Sequence, residues 1–424
     1  MRIKTLVFLP ICLLFFPQLA STQDFYGNIA DYLNSIYGID DNAGLTAFPV
    51  LNVPMGGRSE GMAGAFSAVS DDVSFIEYNP AGSSMLAKSE LAFFHNNWIG
   101  DTRLESIVYA LRFGNLGVAA GGKWLYTPFT EYNIYGERVS SGYYSEGVGI
   151  LNASYNFLSG FYFSGVSVGM NLKSAFRIVP DFTAPDFWDD TIVDGSGREQ
   201  SAMMIMADIG ALTRFNLFKF YVARERNASA AFVIRNIGPP ALGDPLPTAI
   251  TAAVSYKPIR PLLFSLDFTI PVNLSDISLS EKPRVALGLS ANVTNFLIMR
   301  AGVLYRAGSS RITIGSAIKF ERIALDVNYS LDLLTQLQPL NRVSLGVRLD
   351  LGDRGRQNRA NRVEELYLLG LEAYSRDNYR DARICWEEAL RLDPRYIPVI
   401  ESLEMLTHRE ELIQRIEDLY IFGF

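Results

Sequence analysis

The stretch Gly56–Gly82, GGRSEGMAGAFSAVSDDVSFIEYNPAG, decides how the rest of the chain must be organised. Its glycines disfavour a helix interior, and Pro80 removes a backbone hydrogen-bond donor. Its apolar side chains, among them Met62 and Phe66, nevertheless need cover from water. A compact, irregular segment of small residues therefore needs a container. The sequence from residue 89 to residue 351 predicts the wall of that container.

The wall is predicted from side chains that alternate between apolar and polar. In the run 342–351, apolar residues occupy every second position and Ser, Gly, Arg and Asp lie between them. Such alternation is typical of a sheet with one apolar and one polar face. Similar runs occur at about 89–99, 103–113, 116–127, 142–157, 161–178, 201–215, 228–237, 248–257, 261–271, 283–294, 296–306, 310–320, 322–332 and 341–351. We therefore predict an all-β transmembrane barrel, spanning 89–351, of about fourteen antiparallel strands.

The connections between these strands alternate in length. Short turns are predicted at 114–116, 158–160, 257–261, 294–295 and 320–321. Longer loops are predicted at 128–141, 179–200, 238–247, 271–282 and 333–340. Bacterial barrels place short turns on the periplasmic side and longer loops outside. Two connections depart from the rule, since 216–227 is long and 308–310 is short.

The opening stretch also carries a resemblance. Its order Gly-x-x-x-x-Gly-Met-x-Gly-Ala-Phe, the Asp71-Asp72 pair and the closing Asn-Pro-Ala-Gly resemble the N-terminal hatch of the long-chain fatty-acid transporter (FadL) family, especially its PorV-like and uncharacterised spirochaete branches. The resemblance implies a plug inside an outer-membrane β-barrel. The alternative is a turn-rich lead-in to an ordinary β domain. The hatch or gating residues it implies are Gly56, Gly61, Gly64, Phe66, Asn79, Pro80 and Ala81.

Two further stretches support the same resemblance, which covers about 45–351. Arg235-Asn236-Ile237-Gly238 followed by Asp244-Pro245-Leu246-Pro247 is similar to a segment of PorV-like barrels. The run 344–351 has the polar-x-Gly-x-x-apolar-x-apolar pattern of a barrel-assembly signal and ends the series of strands.

The first residues have the features of a targeting segment. Residues 1–21 combine Arg2 and Lys4, a short apolar core and small residues for cleavage, which predicts a secretory signal peptide. Residues 22–88 are predicted to form an N-terminal periplasmic helix, at about 24–38, followed by the hatch. Cleavage would remove Cys12 and leave Cys385 without an internal disulfide partner.

The composition changes after the predicted barrel. Residues 352–361 form a charged, glycine-containing linker, and residues 362–424 show helical periodicity. This tail resembles a tetratricopeptide repeat, with one helix at about 362–375, a second at about 379–390, and further helices at 397–406 and 410–421. The small residues let the two helices approach, and the tryptophan fills the gap between them. The packing residues implied are Gly370, Ala382, Trp386, Ala389 and Pro394.

The sequence carries no pattern typical of catalysis. It has two histidines, His95 and His408, in different modules, and no nucleophile elbow, Cys/His metal spacing or phosphate loop. A net charge of -7 argues against a nucleic-acid partner. We therefore expect no enzyme activity, no cofactor and no metal site. Aromatic residues near strand ends indicate interface girdles or a soluble β core: Trp98, Trp124, Tyr126, Tyr143 and Tyr144.

The resemblance implies an outer-membrane channel of a diderm bacterium, with both chain ends periplasmic. Its hatch would gate the passage of hydrophobic solutes, which by the resemblance would be long-chain fatty acids or similar amphiphiles. Its partners would be the outer-membrane lipids and the transported solute. A second hypothesis is a PorV-like surface or secretion-associated interaction protein, whose tail binds a periplasmic protein. A third, a soluble periplasmic β protein, would leave outward apolar positions such as Val343 and Leu345 in water.

Overall fold

The computed structural model describes residues 38, 40–98, 101–132, 135–179, 183–186, 189–192, 200–221, 225–307, 310–333 and 340–421. The signal peptide predicted at 1–21 lies outside the described residues. The helix predicted at 24–38 lies outside them as well, apart from Gly38.

Fourteen antiparallel strands close into one barrel, which confirms the predicted fold class and strand count. Each strand pairs with its neighbours along the chain, and β1 pairs with β16 over eight residues to close the ring. Two further short strands, β6 and β7, form a separate hairpin within the connection from β5 to β8. The strands are β1 Glu90–Asn97, β2 Arg103–Phe113, β3 Leu116–Tyr132, β4 Arg138–Phe157, β5 Val166–Ile178, β6 Thr183–Asp186, β7 Asp189–Ile192, β8 Ala202–Phe215, β9 Ala228–Ile237, β10 Ala249–Tyr256, β11 Leu262–Pro271, β12 Arg284–Asn292, β13 Leu297–Tyr305, β14 Ser310–Phe320, β15 Ile323–Leu333 and β16 Leu340–Asp350.

The two ends of the barrel differ. One end carries most of the longer connections, and we call it the loop end; the connection 216–227 is a long one at the other end. At the other end, Ser89 N donates to Gly352 O at 2.8 Å, which joins the start of the barrel to the tail; we call it the tail end. The hairpin of β3 and β4 extends beyond its neighbours at the loop end, since these strands pair from Leu116 to Tyr132. Most of the loop predicted at 128–141 is therefore strand.

Outward and inward side chains of the wall separate as the alternation predicts. Val343, Leu345 and Val347 are 44%, 48% and 38% exposed on the outer surface. The intervening Arg342, Ser344 and Arg348 are buried inside the ring. This strand therefore has an apolar outer face and a polar inner face.

The chain before β1 passes through this lumen from one end to the other. Residues 40–55, the mouth segment, lie at the loop end, where Lys282 N donates to Asp40 Oδ2 at 2.7 Å and Ala47 N donates to Pro245 O at 2.9 Å. We expected the N-terminal part of the chain on the same side as the tail. The described mouth segment is instead at the opposite end, because polar contacts from the loops hold it there.

Residues 56–88, the hatch, fill the lumen between the mouth segment and the tail end. The hatch contains helices α1 Gly57–Gly61 and α2 Phe75–Tyr78 and a 3₁₀ helix, Pro80–Met85. Another 3₁₀ turn, Pro49–Asn52, lies in the mouth segment. Met62, Ala65, Phe66 and Ala81 are fully buried, so the barrel supplies the cover that these apolar side chains need.

The tail consists of helices α3 Arg356–Ser375, α4 Tyr379–Leu392 and α5 Ile397–Ile421. Helix α3 begins six residues before the predicted start at 362 and includes most of the predicted linker. The Asp353 carboxylate accepts hydrogen bonds from Gly355 N at 2.9 Å and Gln357 N at 2.7 Å and so caps this earlier start. The helices predicted at 397–406 and 410–421 are one continuous helix.

The tail has a core of its own. Trp386, Ala382 and Ala389 are fully buried between the helices. Gly370 lies directly against the Trp386 indole, where a Cβ would overlap the ring. Pro394 follows α4 and is exposed. Within the described ranges, none of the helices combines the length and hydropathy needed to cross a membrane.

Candidate functional site

The hatch lies against a row of small residues that runs across four strands. Gly210 of β8 pairs with Gly169 of β5, Gly169 pairs with Ser154 of β4, and Ser154 pairs with Gly117 of β3. We call these four residues the small-residue row. A Cβ on any of its glycines would overlap the hatch between Asn79 and Ser84. The row therefore lets the backbone of the 3₁₀ helix lie directly on the wall.

Asn79 holds the start of that helix. Its Oδ1 accepts a hydrogen bond from Ala81 N at 3.0 Å, which caps the helix. Its Nδ2 donates to Ser67 O at 2.9 Å within the hatch and to Ala211 O at 3.2 Å on β8. One fully buried side chain thus joins two parts of the hatch to the wall.

Wall side chains continue these contacts along the 3₁₀ helix. Asn152 Nδ2 donates to Pro80 O at 2.9 Å, and Ser167 Oγ donates to Ala81 O at 2.7 Å. The Ser83 and Ser154 hydroxyls lie 2.6 Å apart, and Ser154 Oγ accepts from Ser84 N at 2.8 Å. Side chains of the wall therefore satisfy the backbone of the Asn-Pro-Ala-Gly motif.

The other side of the hatch lies against glycines of the opposite wall. A Cβ on Gly302 of β13 would lie 2.6 Å from Ala63 N, and one on Gly61 would lie 2.6 Å from Asn328 Oδ1. Asn328 Nδ2 donates to Gly57 O at 2.9 Å. Glycines on both walls, and Gly61 of the hatch itself, therefore allow the hatch to approach the wall closely on two sides.

The remaining sequence-predicted residues lie at the bends of the hatch. Gly56 and Gly64 have positive φ angles of 124° and 85°. A Cβ on Gly64 would lie 3.3 Å from the Tyr78 ring, which also contacts Phe66 edge-to-face at 6.1 Å. Asp267 of β11 accepts from Ser67 N at 2.9 Å, next to Phe66. All seven predicted hatch residues are thus gathered in the lumen.

Buried ion pairs attach the acidic residues of the hatch to basic residues of the wall. Glu60 pairs with Arg342 of β16 at 2.8 Å, and both side chains are 1% exposed. Asp72 pairs with Arg348 at 2.7 Å, and Arg348 also binds Asp326 at 2.8 Å. A further pair joins Glu77 to Lys123 of β3 at 2.6 Å. Ion pairs therefore hold the hatch in addition to its hydrogen bonds.

Asp71 faces the tail end and pairs with Arg58 inside the hatch at 2.6 Å. Burial raises the pKa of this carboxyl group, but the charges of Arg58, Lys257 and Arg214 outweigh it and hold the pKa at about 2. Because the pKa is lowered by folding, this pair contributes stability above the unfolded pKa of about 3.9 and loses it as the pH falls toward 2.

Sequence reasoning did not identify the basic wall residues as hatch partners. Arg342 and Arg348 lie at polar positions of an alternating run, so the signal was an arginine on the inner face of a strand. His95, expected at a polar strand end, lies with Nδ1 2.7 Å from Glu105 Oε1 on the outer face. Within the described part of the chain, no group of three His, Cys, Asp or Glu residues is placed to hold a metal ion.

An apolar cluster lies above the hatch at the loop end. Phe48 and Val50 of the mouth segment are fully buried there. Lumen-facing side chains of the wall surround them, including Leu125, Ile150 and Met206. Trp98 and Tyr144, expected in an interface girdle or a soluble core, pack against this internal cluster. Trp124 and Tyr143 are exposed on the outside, where a girdle would be.

Replacing Asn79 by alanine is expected to loosen the hatch without unfolding the barrel. The change removes the cap of the 3₁₀ helix and two bonds from Nδ2, which costs about 1–2 kcal/mol of hatch docking. Limited proteolysis of the purified protein would detect faster cleavage within 56–88. Asn97→Ala, at an exposed position on the outer face of β1, is the matched control. An unchanged cleavage rate in Asn79→Ala would contradict the predicted role.

Comparison of the sequence with known proteins assigns the chain to a family. The model of the uncharacterised protein family UPF0164 matches residues 34–354. A UPF0164 protein of Treponema pallidum (strain Nichols) is 28% identical over 405 residues, covering 92% of this chain and 89% of the relative. A second from the same organism is 26% identical over 401 residues, covering 88% and 78%.

Solved structures give a more distant likeness. The Pseudomonas putida toluene transporter TodX is 10% identical with a TM-score of 0.38, covering 64% of this chain and 90% of that chain. A likeness of this size says nothing about what passes through the barrel. The family match, in contrast, extends over the mouth segment, the hatch and all the strands. The chain belongs to the uncharacterised protein family UPF0164.

Proposed function

We propose that this protein is an outer-membrane channel in which movement of the hatch admits hydrophobic or amphiphilic solutes, with long-chain fatty acids as the substrate class. The observation that carries the proposal is a closed barrel whose lumen is filled by a segment of its own chain, held by hydrogen bonds and ion pairs. The proposed activity is passage of a solute, without catalysis or a cofactor.

The outer face of the barrel supports the membrane location. Large apolar side chains are exposed at alternate positions around the ring, among them Ile107, Leu151 and Val254 at 47%, 62% and 51%. In water such a surface would favour aggregation, whereas lipid covers it at no cost. The soluble periplasmic alternative is therefore disfavoured, and outer-membrane lipids are the proposed partners of this face.

The contacts of the hatch support its movement. Water can replace a serine hydroxyl or an asparagine amide as a hydrogen-bond partner, because the net contribution of each such bond is small. The three glycines of the small-residue row add no side chain that interlocks with the 3₁₀ helix. At these glycines the 3₁₀ helix can therefore leave the wall by exchanging its hydrogen bonds for bonds to water.

The apolar cluster at the loop end supports a hydrophobic solute. Phe48 and Val50 occupy the space between Leu125, Ile150 and Met206. Phe48 also has a φ angle of 54°, an unfavourable conformation for a residue with a side chain. An alkyl chain that took this space would displace the mouth segment, which is continuous with the hatch.

A disulfide between hatch and wall tests this gate. The Ser83 and Ser154 hydroxyls are 2.6 Å apart, so Ser83→Cys with Ser154→Cys places two thiols within bonding range. The Cys385→Ser background removes the free thiol of the tail. We expect oxidation to stop uptake of labelled oleate by cells of a diderm host without its own importer, and reduction to restore it.

Each single cysteine variant is the control, because it carries a thiol but cannot be locked. The protein should show the faster gel migration of an unheated barrel in every case. Equal uptake by the oxidised and reduced double variant would exclude movement of the hatch at this contact. A fully heat-insensitive protein in the soluble fraction would exclude the channel altogether.

The tail favours a second candidate, an interaction protein with the barrel as its platform. Its helices have an independent core, and Leu368, Ile384 and Met405 are exposed at 55%, 53% and 51%. A periplasmic protein is the proposed partner. Deletion of residues 356–424 would separate the two functions: an interaction protein loses its partner in pull-down, whereas a channel keeps its uptake.

A further inference from the structure

A cavity of about 1010 Å³ lies at the tail end, between the hatch, the barrel wall and the helical tail. Val69, Asp71 and Met85 of the hatch form one side of it. Asp393 and Tyr396, from the connection between α4 and α5, lie on the other side. The Tyr396 ring contacts Phe161 of the β4–β5 connection edge-to-face at 5.4 Å. We call this cavity the tail-end chamber.

The charge of the tail-end chamber is unbalanced toward the positive. Three acidic side chains line it, and Asp71 among them is already paired with Arg58. Five basic side chains line it, from two strands, two connections and the tail: Arg112, Arg214, Arg226, Lys257 and Arg395. The lining therefore has an excess of cations, although the whole chain carries a net charge of -7.

Three of the basic side chains are oriented by neutral acceptors. Arg112 donates to Leu86 O at 3.0 Å, and Arg214 donates to Val69 O at 3.2 Å. Arg226 donates to Tyr162 O at 2.7 Å and to Ser164 Oγ at 3.1 Å. Carbonyl and hydroxyl oxygens fix the direction of a guanidinium group but leave its charge uncompensated.

The other two basic side chains have no hydrogen bond that a ligand would have to displace. Lys257 and Arg395 make no side-chain hydrogen bond or ion pair to any residue that the structure describes. Lys257 belongs to the barrel end and Arg395 to the tail, and both line the same chamber. An anion bound at either would gain a charge-assisted contact without displacing an existing hydrogen bond.

The chamber also has an apolar part. Met85, Leu263 and Tyr396 contribute to its lining beside the basic residues. A ligand that matches both parts has an anionic group and a short apolar portion. We propose that the tail-end chamber binds an amphiphilic anion, with its phosphate or carboxylate held by the basic lining that includes Lys257 and Arg395 and its alkyl portion against Met85 and Leu263.

This site goes beyond the channel function, and its test measures binding instead of uptake, so either proposal can fail alone. The full chain in neutral detergent is titrated calorimetrically with hexyl phosphate, inorganic phosphate and hexanol. We expect hexyl phosphate to bind, inorganic phosphate to bind more weakly, and hexanol to show no binding. Equal affinity for hexyl phosphate and inorganic phosphate would overturn the apolar part of the proposal.

The variant Lys257→Gln with Arg395→Gln is expected to weaken hexyl phosphate binding by roughly tenfold or more, because two charged contacts are lost. Arg376→Gln removes one positive charge from the tail surface outside the chamber and should bind as the unchanged protein does. Retention of the faster gel migration shows that each variant barrel is folded. Undiminished binding by a folded double variant would overturn the proposed site.

Discussion

Replacing Gly169 by alanine should displace the 3₁₀ helix Pro80–Met85 from the barrel wall and open the lumen. An added Cβ would lie 2.5 Å from the carbonyl carbon of Pro80 and 2.7 Å from Ala81 N. Both atoms belong to the backbone, so no side-chain rotation relieves the overlap. Overpacking of this kind costs about 1–3 kcal/mol and acts directly on the contact that holds the hatch.

Ion conductance across planar bilayers measures the result. The unchanged protein should remain largely closed, and Gly169→Ala should conduct steadily. Gly149→Ala is the matched control, because Gly149 lies on the neighbouring strand β4 and a Cβ there would have nothing within 4 Å. If both variants conduct equally little, the close approach at Gly169 does not hold the hatch closed.

Replacing Arg342 by methionine should weaken the hatch by about 3–5 kcal/mol, the largest single effect expected here. The change leaves the Glu60 carboxylate buried without its ionic partner, since the Glu60 side chain is only 1% exposed. Replacing both residues, as Glu60→Met with Arg342→Met, removes the two charges together and should restore most of the loss, since an apolar pair needs no compensation.

The stability of these variants is measured as the temperature at which the barrel loses its faster gel migration. It should fall strongly in Arg342→Met and recover in the double variant. Arg376→Met breaks the exposed pair with Glu372 and should leave that temperature unchanged. A double variant as unstable as Arg342→Met alone would show that the unpaired Glu60 carboxylate is not the cause of the loss.

The strands could be predicted from sequence because their signal is local. Alternation in a run such as 342–351 depends only on which face of one strand meets lipid or lumen. Fourteen such runs were enough to predict the barrel, and all fourteen strands are present. The small residues of the hatch could be singled out in the same way, because glycine and proline restrict the backbone at their own position.

The partners of the hatch could not be predicted, because they depend on register around the whole ring. Glu60 and Arg342 are 282 positions apart in the chain. The small-residue row exists only because β3, β4, β5 and β8 pair with one particular offset. Local periodicity also could not predict that loop residues such as Lys282 hold the mouth segment at the loop end.

The pairing of β1 with β16 has a consequence for how this molecule is assembled. The segment enclosed by the ring precedes every strand in the sequence, and it contacts strands on opposite walls. Once β1 and β16 pair over eight residues, the enclosed segment can enter or leave only lengthwise. Closure of this seam around a chain already laid against its strands avoids that threading, and the hatch would then serve as an internal template for the final step of folding.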